Sequence, residues 1–175
     1  MMGMDVHGLM PKEHIKRKEF TTYDHWENQT WKDRLDAFDE DSELQEKYWD
    51  EERQYQSVNK GVYFRNATAR WRGLWDFCYF VGKSENLIDA ETWVEGHNND
   101  GAGLDQVTSL KLAEKLQEAA KNGTMTKYAT EWEIEMNTDD KGRLPKQSEW
   151  FYRFDTDNVF RFVAFLKECG GFRIC

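Results

Sequence analysis

Residues 61–82 read GVYFRNATARWRGLWDFCYFVG, and this stretch decides the fold. Its first five residues are typical of a short strand. Four apolar side chains then recur at the i, i+3, i+4, i+7 spacing of one buried helical face: Trp71, Leu74, Trp75 and Cys78. This spacing predicts a helix over residues 67–81, and Gly82 is a plausible C′ residue for it.

Two helices and a loop are predicted after this unit. Residues 96–105, GHNNDGAGLD, contain three Gly, two Asn and two Asp, which is the strongest loop signal in the chain. Asp105 can cap a helix that runs to about Lys121 and ends at Asn122-Gly123. A further helix is expected over residues 124–137.

Strands are predicted near both ends of the chain. Residues 1–10 are expected to form a short strand that ends at Gly8, before Pro11. Residues 148–154, SEWFYRF, alternate aromatic and polar side chains and predict a strand. Asp155 can cap a last helix with a buried face of four apolar residues: Val159, Phe162, Val163 and Leu166. Gly170-Gly171 should stop this helix, and residues 172–175 can then form an edge strand.

Residues 12–58 differ in character from the rest of the chain. They hold 8 Lys/Arg and 14 Asp/Glu, a net charge of 8 − 14 = −6, with many Trp and Tyr and no Gly or Pro. Leu44, Tyr48 and Tyr55 give a thin helical stripe. We interpret this segment as an insertion of one or two helices at the edge of the core, with a solvated acidic face. A partner-binding arm is the alternative.

These elements predict an α+β fold: a small antiparallel or mixed sheet packed against three to four helices, with a helical acidic insertion. The chain of 175 residues is the usual size for one domain, and we expect residues 1–175 to form a single domain.

The formal charge of −9 disfavours binding to nucleic acids in general and to anionic membrane surfaces. Outside the insertion the net charge is 16 − 19 = −3, which leaves room for a basic pocket.

Cysteine usage and hydropathy predict a cytoplasmic protein. The three cysteines are odd in number and form no Cys-x-x-Cys pair, so neither a disulfide framework nor a zinc knuckle is expected. Cys78 and Cys169 fall on apolar helical faces, which favours buried, inert thiols. No apolar run approaches the length of a membrane span, and the N-terminus lacks the pattern of a signal peptide.

Two groups of residues are candidates for ligand binding. The first is the loop before a helix, where free backbone N–H groups can bind an anion; its members are His97, Asn98, Asn99, Asp100 and Gly101. A self-bonded turn is the structural alternative for this loop. The second group combines side chains suited to phosphate contacts and to stacking: Arg65, Asn66, Trp71, Arg72 and Trp75. A core stripe with a solvated basic flank is the structural alternative for that group.

Catalytic and metal signals are weak in this sequence. The four histidines lack the His-Glu-x-x-His spacing of a zinc hydrolase, and there is no Gly-x-Ser-x-Gly elbow. Cys78 and His97 could meet in space, but an apolar environment would raise the pKa of the thiol. We therefore predict no catalytic residue, no metal and no cofactor.

Several islands together resemble a known group of proteins. They are MGMDVHGLMP, KGVYFRN, WRGLWDFC, GHNNDGAGL and FDTDNVFRFVAFLKECGGFRIC. The set resembles a group of small uncharacterised proteins of bacteriophage genomes and bacterial prophages, over residues 2–10 and about 60–175. Residues 12–58 have no counterpart in shorter members. Many members carry Tyr at the position of His7, and more Trp in the region 67–70. The resemblance implies a phage setting, in which accessory proteins often act on host defence.

Three functional hypotheses follow from these features. The leading one is a non-enzymatic protein that binds and sequesters a small polar or nucleotide-like ligand, which in a phage setting would counteract host defence signalling. The second is an interaction module that uses residues 12–58 to bind a basic host protein. The third is a phosphodiester hydrolase, with or without a metal, whose turnover would be lost with a chelator or with His97→Ala. An oligomer is compatible with each of them.

Overall fold

A four-stranded antiparallel sheet lies at the centre of the protein. In the computed structural model, which describes residues 3–175, the strands are β1 Gly3–Gly8, β2 Tyr63–Ala67, β3 Gly103–Leu104 and β4 Phe172–Ile174. They lie side by side in the order β2-β1-β4-β3. The predicted α+β class is therefore confirmed. The strand predicted at residues 172–175 is present as β4, but its predicted edge position is wrong, because β3 forms inside the Gly-rich loop and pairs with the outer side of β4.

Eight α-helices are found among residues 3–175. They are α1 Thr21–Glu27, α2 Trp31–Glu40, α3 Ser42–Val58, α4 Thr68–Gly82, α5 Ala90–Glu95, α6 Gln106–Lys121, α7 Thr124–Asn137 and α8 Thr156–Glu168. The predicted helices α4, α6, α7 and α8 are confirmed, and α5 was not predicted. Asp105 and Asp155 cap α6 and α8 as expected, each accepting a hydrogen bond from a backbone N–H in the first turn. None of the helices within residues 3–175 combines the length and the apolar content needed to cross a membrane.

The main core lies between one face of the sheet and α4, α6, α7 and α8. Alternation along β1 sends Met4 and Val6 into this core, while Asp5 and His7 lie on the opposite face. The indoles of Trp71 and Trp75 stack inside it, with ring centroids 5.5 Å apart, and both residues are fully buried. Together they remove several hundred Å² of apolar surface from water, which makes α4 the central helix of the core.

The predicted strand at residues 148–154 is wrong. A short 3-10 turn spans Gln147–Glu149, and the segment that follows is irregular. Its backbone groups bond to side chains of α7: Asn137 bonds to both the N–H and the C=O of Tyr152, and Glu133 accepts from the N–H of Phe154. These side chains replace the neighbouring strand that the aromatic alternation had suggested.

Gly82 is not the left-handed C′ residue that its position suggested. Its φ of −91° is helical, and the chain continues through a 3-10 turn to Asn86, whose φ is 56°. A Cβ on Gly82 would lie 3.3 Å from Cβ of Leu87. The glycine therefore allows the chain after α4 to pack closely on the helix, rather than ending the helix.

The insertion 12–58 contains α1, α2 and α3, so the prediction of one or two helices is wrong. Four buried aromatic residues form a second, smaller core within it: Tyr23, Phe38, Tyr48 and Tyr55. Tyr48 and Tyr55 of the predicted stripe are buried as expected. The acidic residues that remain outside this small core are mostly exposed.

Asn59 joins the beginning of the insertion to its end. Its side chain is fully buried, and its Oδ1 accepts from the backbone N–H groups of His14 (2.6 Å) and Ile15 (3.2 Å). Its Nδ2 donates to the carbonyl of Ile15 at 2.9 Å. One amide thus satisfies three backbone groups that lie 44 or 45 residues away along the chain.

Replacing this amide should loosen the insertion. Asn59→Ala leaves three backbone groups without a partner, so we expect about 2–4 kcal/mol less stability in urea unfolding. Limited proteolysis should then cut within residues 12–58 more readily. Asn98→Ala, the same change at an exposed position, should alter stability by less than about 0.5 kcal/mol. Equal effects of the two substitutions would show that Asn59 does not hold the insertion.

Candidate functional site

A basic pocket lies where the insertion meets the main core. It has a volume of about 380 Å³ and is bordered by the end of α3, the edge strand β2 and the outer side of α8. Four cationic side chains line it, together with neutral polar and aromatic groups, and no acidic residue does. The four cations are Arg53, Lys60, Arg65 and Arg161. This concentration of positive charge contrasts with the net charge of −9 of the whole chain.

Two of the four cations have no acidic partner. Arg53 pairs with Asp50, and Nε of Arg65 lies 3.5 Å from Asp5. Neither Lys60 nor Arg161 forms an ion pair within residues 3–175. The guanidinium of Arg161 instead lies over the ring of Phe64, 5.6 Å from its centroid. Their charges are therefore available to an anion in the pocket.

The end of α3 contributes a smaller, opposing effect. A helix C-terminus carries about half a negative charge, which disfavours an anion. The two positive charges without an acidic partner, on Lys60 and Arg161, outweigh it. At about 4 Å each cation attracts a unit negative charge by roughly 1 kcal/mol in water and by about 4 kcal/mol near a protein surface. The pocket therefore favours anions, most strongly a group such as phosphate that carries more than one negative charge.

The second predicted group is divided between this pocket and the core. Arg65 lines the basic pocket, whereas Asn66 lies on the inner face of β2 and is buried. Trp71 and Trp75 are core residues, which was the structural alternative for them. Both are fully buried, so neither ring has an accessible face for a ligand. Arg72 is exposed on α4 and does not line the basic pocket.

The predicted loop packs on α4, and none of its residues lines the basic pocket. Nε1 of Trp71 donates to the carbonyl of Gly96 at 2.7 Å, and a Cβ on Gly96 would lie 2.3 Å from the Trp75 ring. At the other end of the loop, Gly101 has φ 88° and its N–H donates to the carbonyl of Ile174 at 2.8 Å. These hydrogen bonds hold the loop against α4 and β4, so it is not the self-bonded turn that was its structural alternative.

The exposed tip of the loop lies near the start of β1. Asn98, Asn99 and Asp100 are exposed, and Nδ2 of Asn99 donates to the carbonyl of Gly3 at 3.2 Å. The Arg65 guanidinium also borders Gly3, since a Cβ there would lie 3.0 Å from its Nε. The loop tip and Arg65 therefore flank the same residue, although only Arg65 lines the basic pocket.

Asp76, which the sequence reading did not select, fixes the position of His97. Its carboxylate accepts from Nε1 of Trp93 (3.0 Å) and of Trp132 (3.1 Å), and bonds to Nε2 of His97 at 3.1 Å. Burial raises the pKa of Asp76, but the hydrogen bonds from His97, Trp132 and Trp93 together hold it below its ordinary value. The carboxylate thus joins α4 to α5, α7 and the loop.

A cleft of about 410 Å³ opens beside Asp76. Its walls are aromatic side chains, and it contains the carboxylates of Asp76 and Glu135 with Lys83 as its one cation. Two carboxylates against one ammonium make this cleft unfavourable for phosphate. The two clefts therefore differ in the sign of the charge that they favour, and only the basic pocket suits an anionic ligand.

Three cations of the basic pocket were missed by sequence reasoning. Arg53, Lys60 and Arg161 come from separate elements, and more than a hundred positions separate the first from the last. No local motif relates them. The available signal was the weaker negative charge of the chain outside residues 12–58, which indicated that a basic pocket could exist but not where.

The chemistry available at other sites is limited. Within residues 3–175, no group of three or more His, Cys, Asp or Glu side chains is arranged to hold a metal ion. Cys78 is fully buried, and burial raises the pKa of its thiol well above the ordinary value.

Comparison of the chain with protein-family models, curated proteins and solved structures finds no match. The functional argument therefore depends on the residues and their geometry.

The network around Asp76 should give a pH-dependent contribution to stability. Because the folded-state pKa of Asp76 is lowered, its contribution is present above the unfolded-state pKa and is lost as pH falls through the folded-state value. In Asp76→Asn one carboxylate oxygen becomes an NH2 group, so at least one N–H donor loses its acceptor. We expect a loss of about 1–3 kcal/mol at pH 7 in urea unfolding, and this loss should decrease as the pH falls below 3.8, the ordinary pKa of an Asp carboxyl.

The matched control for this substitution is Asp100→Asn. Asp100 is exposed in the turn, where Asn is equally suited, so its substitution should change stability by less than about 0.5 kcal/mol. A loss for Asp76→Asn that does not decrease as the pH is lowered from 3.8 until the protein unfolds in acid would contradict the role given to its charge.

Proposed function

We propose that this protein binds and sequesters a small phosphate-bearing ligand of nucleotide type in the basic pocket. The observation that carries the proposal is the convergence of four cationic side chains, without an acidic one, on a cavity of about 380 Å³. Binding of this kind requires no catalytic group. A polar, nucleotide-like ligand is also what the Arg65 region of the sequence suggested.

Several features favour phosphate over a simple monovalent anion. Arginine guanidinium groups bind phosphate through paired N–H donors, and three of the four cations are arginines. Tyr63 adds a partly exposed aromatic ring beside the charges, which suits a ligand with a flat ring. A cavity of this size falls within the range of small-molecule sites.

The resemblance to phage and prophage proteins supports a biological setting for this binding. A phage protein that removes a host signalling nucleotide needs only affinity for it. A dissociation constant of about 1 μM corresponds to roughly −8 kcal/mol, which a few charge-assisted hydrogen bonds and one stacked ring can supply. We therefore propose sequestration of a defence signal in the host cytoplasm as the role of the pocket.

Arg161 is the residue whose substitution tests the proposal. Titration calorimetry should detect 5′-mononucleotides, cyclic dinucleotides or inorganic phosphate binding to the intact protein. Arg161→Ala should weaken that binding about 10- to 100-fold, because it removes a charge that no acid within residues 3–175 neutralises. The affinity should also fall as salt is added.

Arg72→Ala is the matched control. Arg72 is also an exposed helical arginine, but it lies outside the pocket, so binding should be unchanged. If Arg72→Ala weakens binding as much as Arg161→Ala does, or if none of these anions binds, the pocket assignment is wrong. Recovery of the bound ligand intact is expected for sequestration, and a converted ligand would overturn the non-enzymatic role.

A second candidate function rests on the exposed face of α2. Trp31 and Leu35 lie one turn apart there and are 61% and 39% exposed, next to Asp36 and Asp39. Exposed apolar side chains with acids beside them suit a basic protein surface. Deleting residues 12–58 cannot separate the two functions, because the deletion also removes Arg53. The double substitution Trp31→Ala and Leu35→Ala should instead abolish capture of a basic partner and leave nucleotide binding unchanged.

A further inference from the structure

A second cavity adjoins the basic pocket and has the opposite charge. It measures about 500 Å³ and lies between the polar face of β1 and β2 and the helices α1 and α3. Three residues line both cavities: Gln56, Tyr63 and Arg65. One ligand can therefore pass along these three shared residues, with one of its ends in the basic pocket and the other end in the second cavity.

The acids of the second cavity differ in how well they are satisfied. Asp5 accepts a hydrogen bond from Tyr63, and Glu27 accepts one from Tyr48 at 2.6 Å. Glu52 has no hydrogen-bond or ion-pair partner within residues 3–175, although it is partly buried. Burial, and next the nearby Glu27, raise the pKa of Glu52 above its ordinary value. A ligand with N–H donors would supply the hydrogen bonds that the Glu52 carboxylate lacks and would stabilise its charged form.

The walls of the second cavity suit a planar group. Tyr23, Trp49 and Tyr63 line it, and Trp49 is 38% exposed. Aromatic faces stack on any nucleobase, with a gain of about 1–3 kcal/mol per base. Stacking alone does not distinguish the bases, so selectivity must come from the polar groups at the edge of the ring.

We propose that this cavity holds the base of the nucleotide, that Glu52 binds its N–H edge, and that the base is guanine. The inference rests on the proposed function, since the phosphate would occupy the basic pocket. Among the common bases, only guanine presents two adjacent donors, N1–H and the 2-amino group, which match the two oxygens of one carboxylate. Adenine and cytosine present a ring acceptor beside their amino group, which a carboxylate repels.

The experiment compares GMP, IMP and AMP by titration calorimetry on the intact protein. GMP should bind most tightly. IMP lacks the 2-amino group and should bind about tenfold more weakly. AMP should bind about 100-fold more weakly, because its N1 lone pair faces the carboxylate.

Glu52→Gln provides a sharper readout, because a glutamine amide offers one acceptor and one donor. This pair matches the amino group and N1 of adenine, so the variant should reverse the order and prefer AMP to GMP. The substitution also removes a charge near Glu27, so we expect no loss of folding. Glu46→Gln is the matched control on the exposed side of α3 and should keep the order of the unmodified protein.

The outcomes distinguish this inference from the proposed function. Equal affinities for GMP, IMP and AMP, all weakened by Arg161→Ala, would overturn the guanine inference and support the phosphate site. Absence of binding by all three and by cyclic dinucleotides and inorganic phosphate would overturn the proposed function itself. A preference for GMP that persists in Glu52→Gln would show that another group reads the base.

Discussion

The hydrogen bonds of Asn59 are the constraint on which the candidate site depends. The insertion departs from the core after β1 and returns just before β2, and the buried amide of Asn59 holds the two ends together. Because of this contact, the last turn of α3 lies beside β2 and α8. The basic pocket and the adjoining acidic cavity both use residues from α3, so neither exists without the attachment of the insertion. A segment that looks peripheral in the sequence therefore forms one wall of the site.

Charge is separated over a short distance in this part of the molecule. The insertion is acidic overall, but Arg53 in its last helix and Lys60 just after it face the core with Arg65 and Arg161. On the other side of the residues that line both cavities, the acidic cavity contains Glu27 and Glu52. A ligand that fits both cavities must have a negative end and an end rich in donors. A nucleotide has this polarity, whereas a fatty acid or a sugar phosphate lacks the planar donor edge.

The fold was more accessible from the sequence than the site was. Spacing of apolar residues predicted α4, α6, α7 and α8, because a helix that packs on one core must repeat its buried positions every three to four residues. The segment 148–154 escaped this reasoning, since its backbone bonds to side chains of α7 that no local pattern reveals. The order of the strands in the sheet was not predicted either, because no local pattern in one segment shows which distant segment it pairs with.

Within the site, Arg65 was predicted because it lies beside other polar residues in the chain. Arg161 was not, because it approaches Arg65 only after α8 has packed against β2. Trp71 and Trp75 were selected for chemistry that their burial excludes. The same i, i+4 spacing that places two indoles on one face also directs that face into the core. Asp76 carried no sequence signal, because its partners come from three other segments.

The position of β2 at the edge of the sheet has a consequence for self-association. An edge strand offers its outer backbone groups to a strand of another molecule, and proteins commonly block such pairing with charged side chains. Arg65 in the strand, with Lys60 before it and Arg161 beside it, gives this edge a positive charge that repels an identical edge. A bound phosphate would neutralise that charge while covering the strand with its own bulk. The positive charge thus protects this edge from fibril-like pairing by electrostatic repulsion, and in the complex that we propose the phosphate would block the same edge sterically.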